Sequence, residues 1–220
     1  MDPQELIARR VAQEIRPGML VNLGIGLPTR VANHLPRGLD VYLQAENGIV
    51  GLGARPPEGM EDEDLTDAGG GFVTAVPGAA RIDSTLSFGL IRGGHLDMTV
   101  LGGLQVDAQG LLANWMIPGK LAPGMGGAMD LVSGARRVVV AMLHTAKGEP
   151  KIVETCKLPL TSIRPVDLIV TELAVIRPGP TGLVLLETAP GVDVGQVRAA
   201  TAAPLQIEAP PREMSLGDGR

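Results

Sequence analysis

The sequence predicts an α/β protein with an open, largely parallel sheet flanked by helices and some antiparallel hairpin content. Three observations lead there. Short apolar β-type runs alternate with short helical patterns along the whole chain, the order that builds a sheet from strand–helix–strand units. Aromatic residues are nearly absent, Tyr42, Phe72, Phe88 and Trp115 being all there are. The core must therefore be made of Val, Leu, Ile, Ala and Met, which suits strands buried on both faces. Thirty Gly and eighteen Pro among 220 residues imply many tight turns and close backbone approaches.

Each element follows from local signals. Asp2 is a capping residue, Pro3 fits the first helical position, and Glu5 stands where a capping box needs it. Ile7, Val11 and Ile15 repeat on one face until Pro17-Gly18 ends the helix. Met19 to Leu23 reads as a buried strand, followed by Gly24-Ile25-Gly26 and a short helix from Pro28 to about Leu35, stopped by Pro36. Val41 to Leu43 is the next strand. Residues 51–71 read as a long loop with Pro56-Pro57, an acidic cluster and Gly69-Gly70-Gly71; loops of that length are usually functional or mobile. Val73 to Val76 predicts a short strand before a Pro77-Gly78 turn. Asp83 to Ile91 predicts a helix closed by Gly93-Gly94. Leu96 to Leu101 is a strand, and Leu104–Val106 with Leu111–Trp115 flank a hairpin turn at 107–110. A helix from about Ala128 to Val132 precedes strands at Val138–Leu143, Leu168–Thr171 and Leu183–Leu186, and Asp193 caps a last helix to about Ala200. These elements predict one domain over residues 1–208 and a tail at 209–220, loose or laid along a partner.

Composition excludes several functions. The net charge of −5, the lack of a long basic run and the scarcity of aromatics argue against nucleic-acid binding. No apolar run reaches membrane-spanning length. The single cysteine, Cys156, excludes an intrachain disulfide and is compatible with a reducing compartment. With no export signal at the N-terminus, the expectation is a cytoplasmic protein. His34, His95 and His144 are scattered, with no metal-ligand spacing to Cys156 or carboxylates, so no metal site is expected. No Gly-x-Ser-x-Gly elbow and no Walker loop occur.

The chemistry-bearing residues cluster at the end of the second strand. In Leu43-Gln44-Ala45-Glu46-Asn47-Gly48, a β-type run stops in a carboxylate, an amide and a glycine. Glycine permits a sharp turn there, and strand ends are where open α/β sheets hold ligands. Glu46 is thus a candidate nucleophile, with Asn47 as a nearby donor: an ionised carboxylate can attack a thioester and hold part of it covalently. It needs a place to stabilise the tetrahedral oxyanion, and the Gly-rich stretch from Lys120 to Ala128, with Gly126 and Gly127 before a helix, offers backbone N–H groups. Gly24-x-Gly26 lacks the third glycine of a dinucleotide turn and is read as tight packing beside a ligand.

These residues also resemble a known family. Val21-Asn22-Leu23-Gly24-Ile25-Gly26-Leu27-Pro28, Glu46-Asn47-Gly48, Ile91-Arg92-Gly93-Gly94-His95, Ala113-Asn114-Trp115-Met116-Ile117-Pro118-Gly119-Lys120 and Gly124-Met125-Gly126-Gly127-Ala128-Met129-Asp130-Leu131-Val132 occur in the order found in the B (β) subunit of family I coenzyme A transferases, the 3-oxoacid CoA-transferases. The resemblance runs from Val11 to about Leu205. It implies that Glu46 is the catalytic glutamate, passing through a mixed anhydride to an enzyme–CoA thioester in a ping-pong cycle. It also implies that Gly127 supplies a backbone amide near the reacting thioester, that Gly126, Asn47 and Gly48 help bind it, and that Gly24, Gly26, Asn114 and Lys120 are candidates for the substrate pocket. The family motif has Ser before the glutamate; Ala45 stands here, which removes one hydroxyl and leaves the nucleophile.

The resemblance further implies a homologous A subunit from another polypeptide, commonly in an A2B2 tetramer, with CoA as a substrate and no metal or redox cofactor. The expected donor is succinyl-CoA and the expected acceptor acetoacetate, with a 3-oxoadipate enzyme as the alternative. Two rivals come from other classes: a sugar-phosphate isomerase or deaminase of similar shape, and a non-catalytic acyl-CoA-binding subunit. Glu46→Ala separates the last from an enzyme.

Overall fold

The computed structural model describes residues 1–119 and 124–217. Helix α1 (Pro3–Ala12) leads into β1 (Leu20–Leu23), a 3-10 helix (Leu27–His34), β2 (Tyr42–Ala45), β3 (Ile49–Leu52) and β4 (Ala75–Arg81). Then come α2 (Ser84–Arg92), β5 (Met98–Leu101) and the small strands β6 (Gln105–Asp107) and β7 (Leu112–Ala113). Helix α3 (Ala128–Gly134) precedes β8 (Arg137–Ala141), β9 (Thr145–Ala146), β10 (Glu149–Pro150), β11 (Ile152–Val153) and β12 (Leu168–Val170). The chain closes with β13 (Ala174–Gly179), β14 (Gly182–Thr188), α4 (Val194–Ala200), β15 (Leu205–Gln206) and β16 (Arg212–Glu213).

Five parallel strands, in the order β12-β8-β5-β1-β2, form the middle of the main sheet. Antiparallel strands extend it on both sides, β3 and β4 beyond β2, and β13 and β14 beyond β12. Apolar residues cover both faces, as parallel strands require. Val138 and Val140 of β8 pack on one side with Ile91 of α2, Leu131 of α3 and Val197 of α4. Val139 and Ala141 pack on the other with Ile7 and Val11 of α1 and Val31 of the 3-10 helix. The α/β expectation, with its parallel sheet and antiparallel hairpins, is met, including the β6–β7 hairpin.

Several local expectations change. Asp2 does not cap α1 with its side chain; its carboxylate accepts from Arg30, while Glu5 is held by Arg9 and His34 instead of closing a capping box. The predicted Pro77-Gly78 turn lies inside β4. This is an edge strand whose register against β3 shifts between Val50 and Leu52, and an edge bulge tolerates a proline that has no N–H to give. Strand β13, not foreseen at all, pairs antiparallel with both β12 and β14. The tail, expected to be loose or laid along a partner, lies along its own chain over its described part: Arg212 and Glu213 pair with Glu187 and Thr188, and Met214 is buried against the α1 side of the sheet.

No helix among the described residues is long and apolar enough to cross a membrane.

Candidate active site

Glu46 begins the turn that joins β2 to β3, at the C-terminal end of the parallel strands. The turn depends on Gly48. Its φ is +123°, and a Cβ there would collide with the Ile82 carbonyl oxygen. The Gly48 amide donates to the Ala45 carbonyl at 3.0 Å, and the Ile82 amide donates to the Gly48 carbonyl at 2.9 Å. The strand therefore ends where it does because only glycine fits.

The Glu46 side chain lies between β1 and the start of α3. Asn22 Nδ2 donates to Glu46 Oε2 at 3.0 Å. On the other side stands Gly127, itself buried. A Cβ at Gly127 would lie 3.1 Å from Glu46 Cγ, and 3.4 Å from both Glu46 Oε1 and the Phe88 ring. The missing side chain lets the carboxylate rest against the backbone. Phe88 is covered in turn by the Arg92 guanidinium, 5.5 Å from the ring centroid, and Arg92 donates to Asp130 at 2.7 Å, which ties α2 to α3 around this contact.

Beneath Glu46 runs a buried polar row. The register aligns Thr99 of β5, Asn22 of β1 and Gln44 of β2 side by side. Asn22 Nδ2 also lies 3.2 and 3.0 Å from the main-chain and side-chain oxygens of Gln44, so its two hydrogens are shared among three acceptors. Gln44 Nε2 donates to Ser87 Oγ at 3.0 Å, and Ser87 Oγ donates to the Glu46 carbonyl at 2.9 Å. Among the described residues no buried side-chain nitrogen or oxygen lacks a hydrogen-bond partner.

A cavity of about 720 Å³ adjoins the strand end at Gln44 and Ala45, on the side of the 3-10 helix. Ile25, Gly26, Arg55, Asp67 and Phe72 are among its walls, so the long loop after β3 forms one side of it. Ala45 and Gln44 both line this cavity, and the Gln44 side-chain amide reaches Ser87 on α2.

The other sequence-selected residues divide. Gly24 packs tightly after β1, where a Cβ would sit 3.0 Å from the Val100 carbonyl oxygen; Gly26, at φ +86°, starts the 3-10 helix and lines the cavity. Gly126, at φ +55°, precedes Gly127 in the turn before α3. Asn47 is exposed and donates to the Thr66 carbonyl at 2.7 Å, pinning the long loop; the amide that reaches the carboxylate is that of Asn22. Asn114 donates to the Gly102 carbonyl and accepts from Thr161, which ties together the chain after β5 and after β7. Lys120 lies outside the described residues.

Asn22, Gln44, Ser87, Thr99 and Phe88 were not singled out as site residues. Three of them carried a signal, as polar side chains inside apolar parallel strands, which must find buried partners. Burial pushes the Cys156 thiol up to about 12, so it is protonated at neutral pH.

Residues 4–200 match the family described as Coenzyme A transferase. The chain is 55% identical over 210 residues to the beta chain of the acetate CoA-transferase of Escherichia coli (strain K12), covering 95% of this chain and 96% of that one. It is 50% identical to the B chain of a probable succinyl-CoA:3-ketoacid coenzyme A transferase of Bacillus subtilis (strain 168), covering 94% and 96%. Among solved structures, an acyl-CoA transferase apoenzyme from Escherichia coli O157:H7 superposes with a TM-score of 0.79 at 25% identity. That match covers 98% of this chain but 44% of the other, so the chain spans less than half the length of that enzyme. The resemblance read from the five motifs is borne out across nearly the whole sequence, and the chain belongs to the coenzyme A transferase family.

Proposed function

We propose that this chain is the β subunit of a 3-oxoacid CoA-transferase, that Glu46 is its nucleophile, and that CoA moves from succinyl-CoA to acetoacetate by a ping-pong route. The observation that carries this reading is the Glu46 carboxylate, tethered by Asn22 at one oxygen and laid against Gly127 on the side of the other. Oε1 attacks the thioester carbonyl carbon, the C–S bond breaks, and CoA leaves as a thiolate from a glutamyl–acyl anhydride. The thiolate then attacks the glutamyl carbonyl and releases the donor acid as a carboxylate, which leaves a glutamyl-CoA thioester. The acceptor acid reverses these steps.

The Gly127 amide is the assigned donor to the tetrahedral oxyanion, with Gly126, Asn47 and Gly48 shaping its surroundings. The anhydride is uphill of the thioester, and binding energy from the remote parts of CoA offsets that cost. The cavity beside Ala45 is read as the space for the acid, and Arg55 on its wall as the cation for a second carboxylate. That cation supports succinyl-CoA as the donor; a dicarboxylic acceptor of the 3-oxoadipate type would use it equally. None of these steps calls for a metal or a redox cofactor, and CoA enters as a substrate.

Relatives named as one of two kinds of chain, beta or B, support a homologous A subunit as partner, assigned here to an A2B2 complex whose interface completes the site. Acyl-CoA substrates fit a cytoplasmic enzyme. The test is intact-protein and peptide mass spectrometry of the complex with its A subunit after adding succinyl-CoA or acetoacetyl-CoA without acceptor. A CoA adduct on Glu46 is the expected result. No adduct with either donor, in a complex that binds CoA, overturns the nucleophile assignment and favours a non-catalytic acyl-CoA-binding subunit.

A further inference from the structure

We infer that Ser87, Gln44 and Thr99 are positioning residues that set the orientation of the Asn22 amide, and through it which oxygen of Glu46 is free to react. The inference rests on the reading of Glu46 as the nucleophile. It follows from the direction in which each hydrogen bond must run. The Glu46 carbonyl can only accept, so the Ser87 hydroxyl donates to it at 2.9 Å. Ser87 Oγ, its one hydrogen committed, must accept from Gln44, which turns the Gln44 NH2 group toward α2 at 3.0 Å. Gln44 Oε1 then faces β1 and accepts from Asn22 at 3.0 Å. With its NH2 on that side, Asn22 turns Oδ1 toward β5, where the Thr99 hydroxyl donates to it at 3.2 Å.

The result at the end of the row is a donor, not an acceptor, facing Glu46 Oε2. A flipped Asn22 amide would set its oxygen against the carboxylate and against the Gln44 side-chain oxygen. Asn22, Gln44, Ser87 and Thr99 are each at most 1% exposed, so bulk water has little access to the row. A donor on Oε2 fixes the plane of the carboxylate and leaves Oε1, the oxygen beside Gly127, as the attacking atom. A carboxylate held in one plane needs less reorganisation to reach the attacking geometry, so the row acts on the chemical step and not on the binding of the acyl-CoA. Ser87 has a second hold on the same step, because its hydroxyl pins the backbone at the reacting residue itself.

The test uses the complex with the A subunit and the variants Ser87→Ala, Ser87→Thr, Thr99→Val and Thr99→Ser. The readouts are kcat, KM for the acyl-CoA, the single-turnover rate of CoA adduct formation on Glu46, and the melting temperature. Removing a hydroxyl is expected to slow adduct formation and kcat about tenfold with KM within about twofold, the size set by one misdirected buried hydrogen bond. Ser87→Thr and Thr99→Ser, which keep the hydroxyl, are expected to restore most of the rate. Unaltered rates in Ser87→Ala and Thr99→Val, even with a lower melting temperature, overturn the inference and leave the row purely structural. If one hydroxyl-free variant does not assemble, the other decides: adduct formation about tenfold slower in the variant that assembles supports the inference, and an unaltered rate overturns it. Failure of the unaltered complex to form any adduct is a separate result, which removes the nucleophile reading beneath the inference.

Discussion

Two buried polar clusters close the C-terminal ends of the parallel strands, and they differ in what they leave open. Across β5, β1 and β2 and onto α2, the row of Thr99, Asn22, Gln44 and Ser87 ends in Glu46, a carboxylate only partly buried. After β8 and β12, His144 is fully buried between two hydroxyls, with Nδ1 2.8 Å from Thr171 Oγ1 and Nε2 2.8 Å from Thr201 Oγ1. Each hydroxyl also lies beside a carbonyl oxygen, Thr201 Oγ1 2.7 Å from that of Val197 and Thr171 Oγ1 3.2 Å from that of Ala174. The Glu172 carboxylate caps the His144 amide at 2.8 Å. Both clusters satisfy their polar atoms; the first adjoins the cavity at Gln44 and Ala45, and its last hydrogen bond engages one oxygen of Glu46. A titratable residue at a strand end is thus not a reactive site by position alone. It becomes a candidate when its last hydrogen bond leaves one reactive atom uncovered.

The largest expected effect comes from Glu46. Glu46→Gln keeps the shape and should lower transfer turnover by at least about a thousandfold while the complex still assembles and binds CoA, measured by steady-state transfer and by calorimetry. Gly127→Ala comes next. Its methyl group would press on Glu46 Cγ at 3.1 Å and displace the carboxylate from its rest position, which should cost about ten- to a hundredfold in kcat with assembly intact.

The His144 cluster should respond in stability and not in rate. Burial holds its imidazole down at about 4, below the ordinary 6.5 of an unfolded histidine. The native state therefore favours the neutral ring, a contribution complete above the unfolded value and lost as pH falls from about 6.5 toward 4, worth up to about 3 kcal/mol. Denaturant midpoints at pH 7.5 and pH 5, in the unaltered chain and in His144→Gln, should show the larger acid loss in the unaltered chain, with little change in kcat between the two at neutral pH. The smallest effect is expected at the cavity wall. Arg55→Ala should raise KM for succinyl-CoA several-fold and leave acetoacetyl-CoA nearly unchanged, because an exposed cation on a carboxylate contributes only about 1 kcal/mol.

How much of this was legible depended on the range of each signal. The α2 helix is read directly: Asp83 accepts from the Leu86 amide as its cap, and Arg92 leads into Gly93 at the end. The Asp193 cap of α4 is likewise local and was foreseen; the capping box it forms with Gln196 also lies within one turn. Strand β13 escaped notice because Arg177-Pro178-Gly179 interrupts its apolar pattern, and only its two antiparallel neighbours hold it in the sheet. The tail escaped for a related reason. Arg212 and Glu213 carry no strand propensity of note, and their order comes from the open edge of β14.

The sequence by itself determined the α/β alternation, the apolar core without aromatics, the glycine-bound turn at Glu46 and the family motifs, because each is written in residues near one another along the chain. The tertiary structure alone decided what surrounds the carboxylate. Asn22 stands 24 residues before Glu46, and Ser87 reaches its carbonyl from 41 residues after it. Those contacts depend on which strands lie side by side and in what register, and a one-residue slip would turn every side chain in the row to the opposite face. Register is set by the packing of both faces at once, which no local pattern encodes.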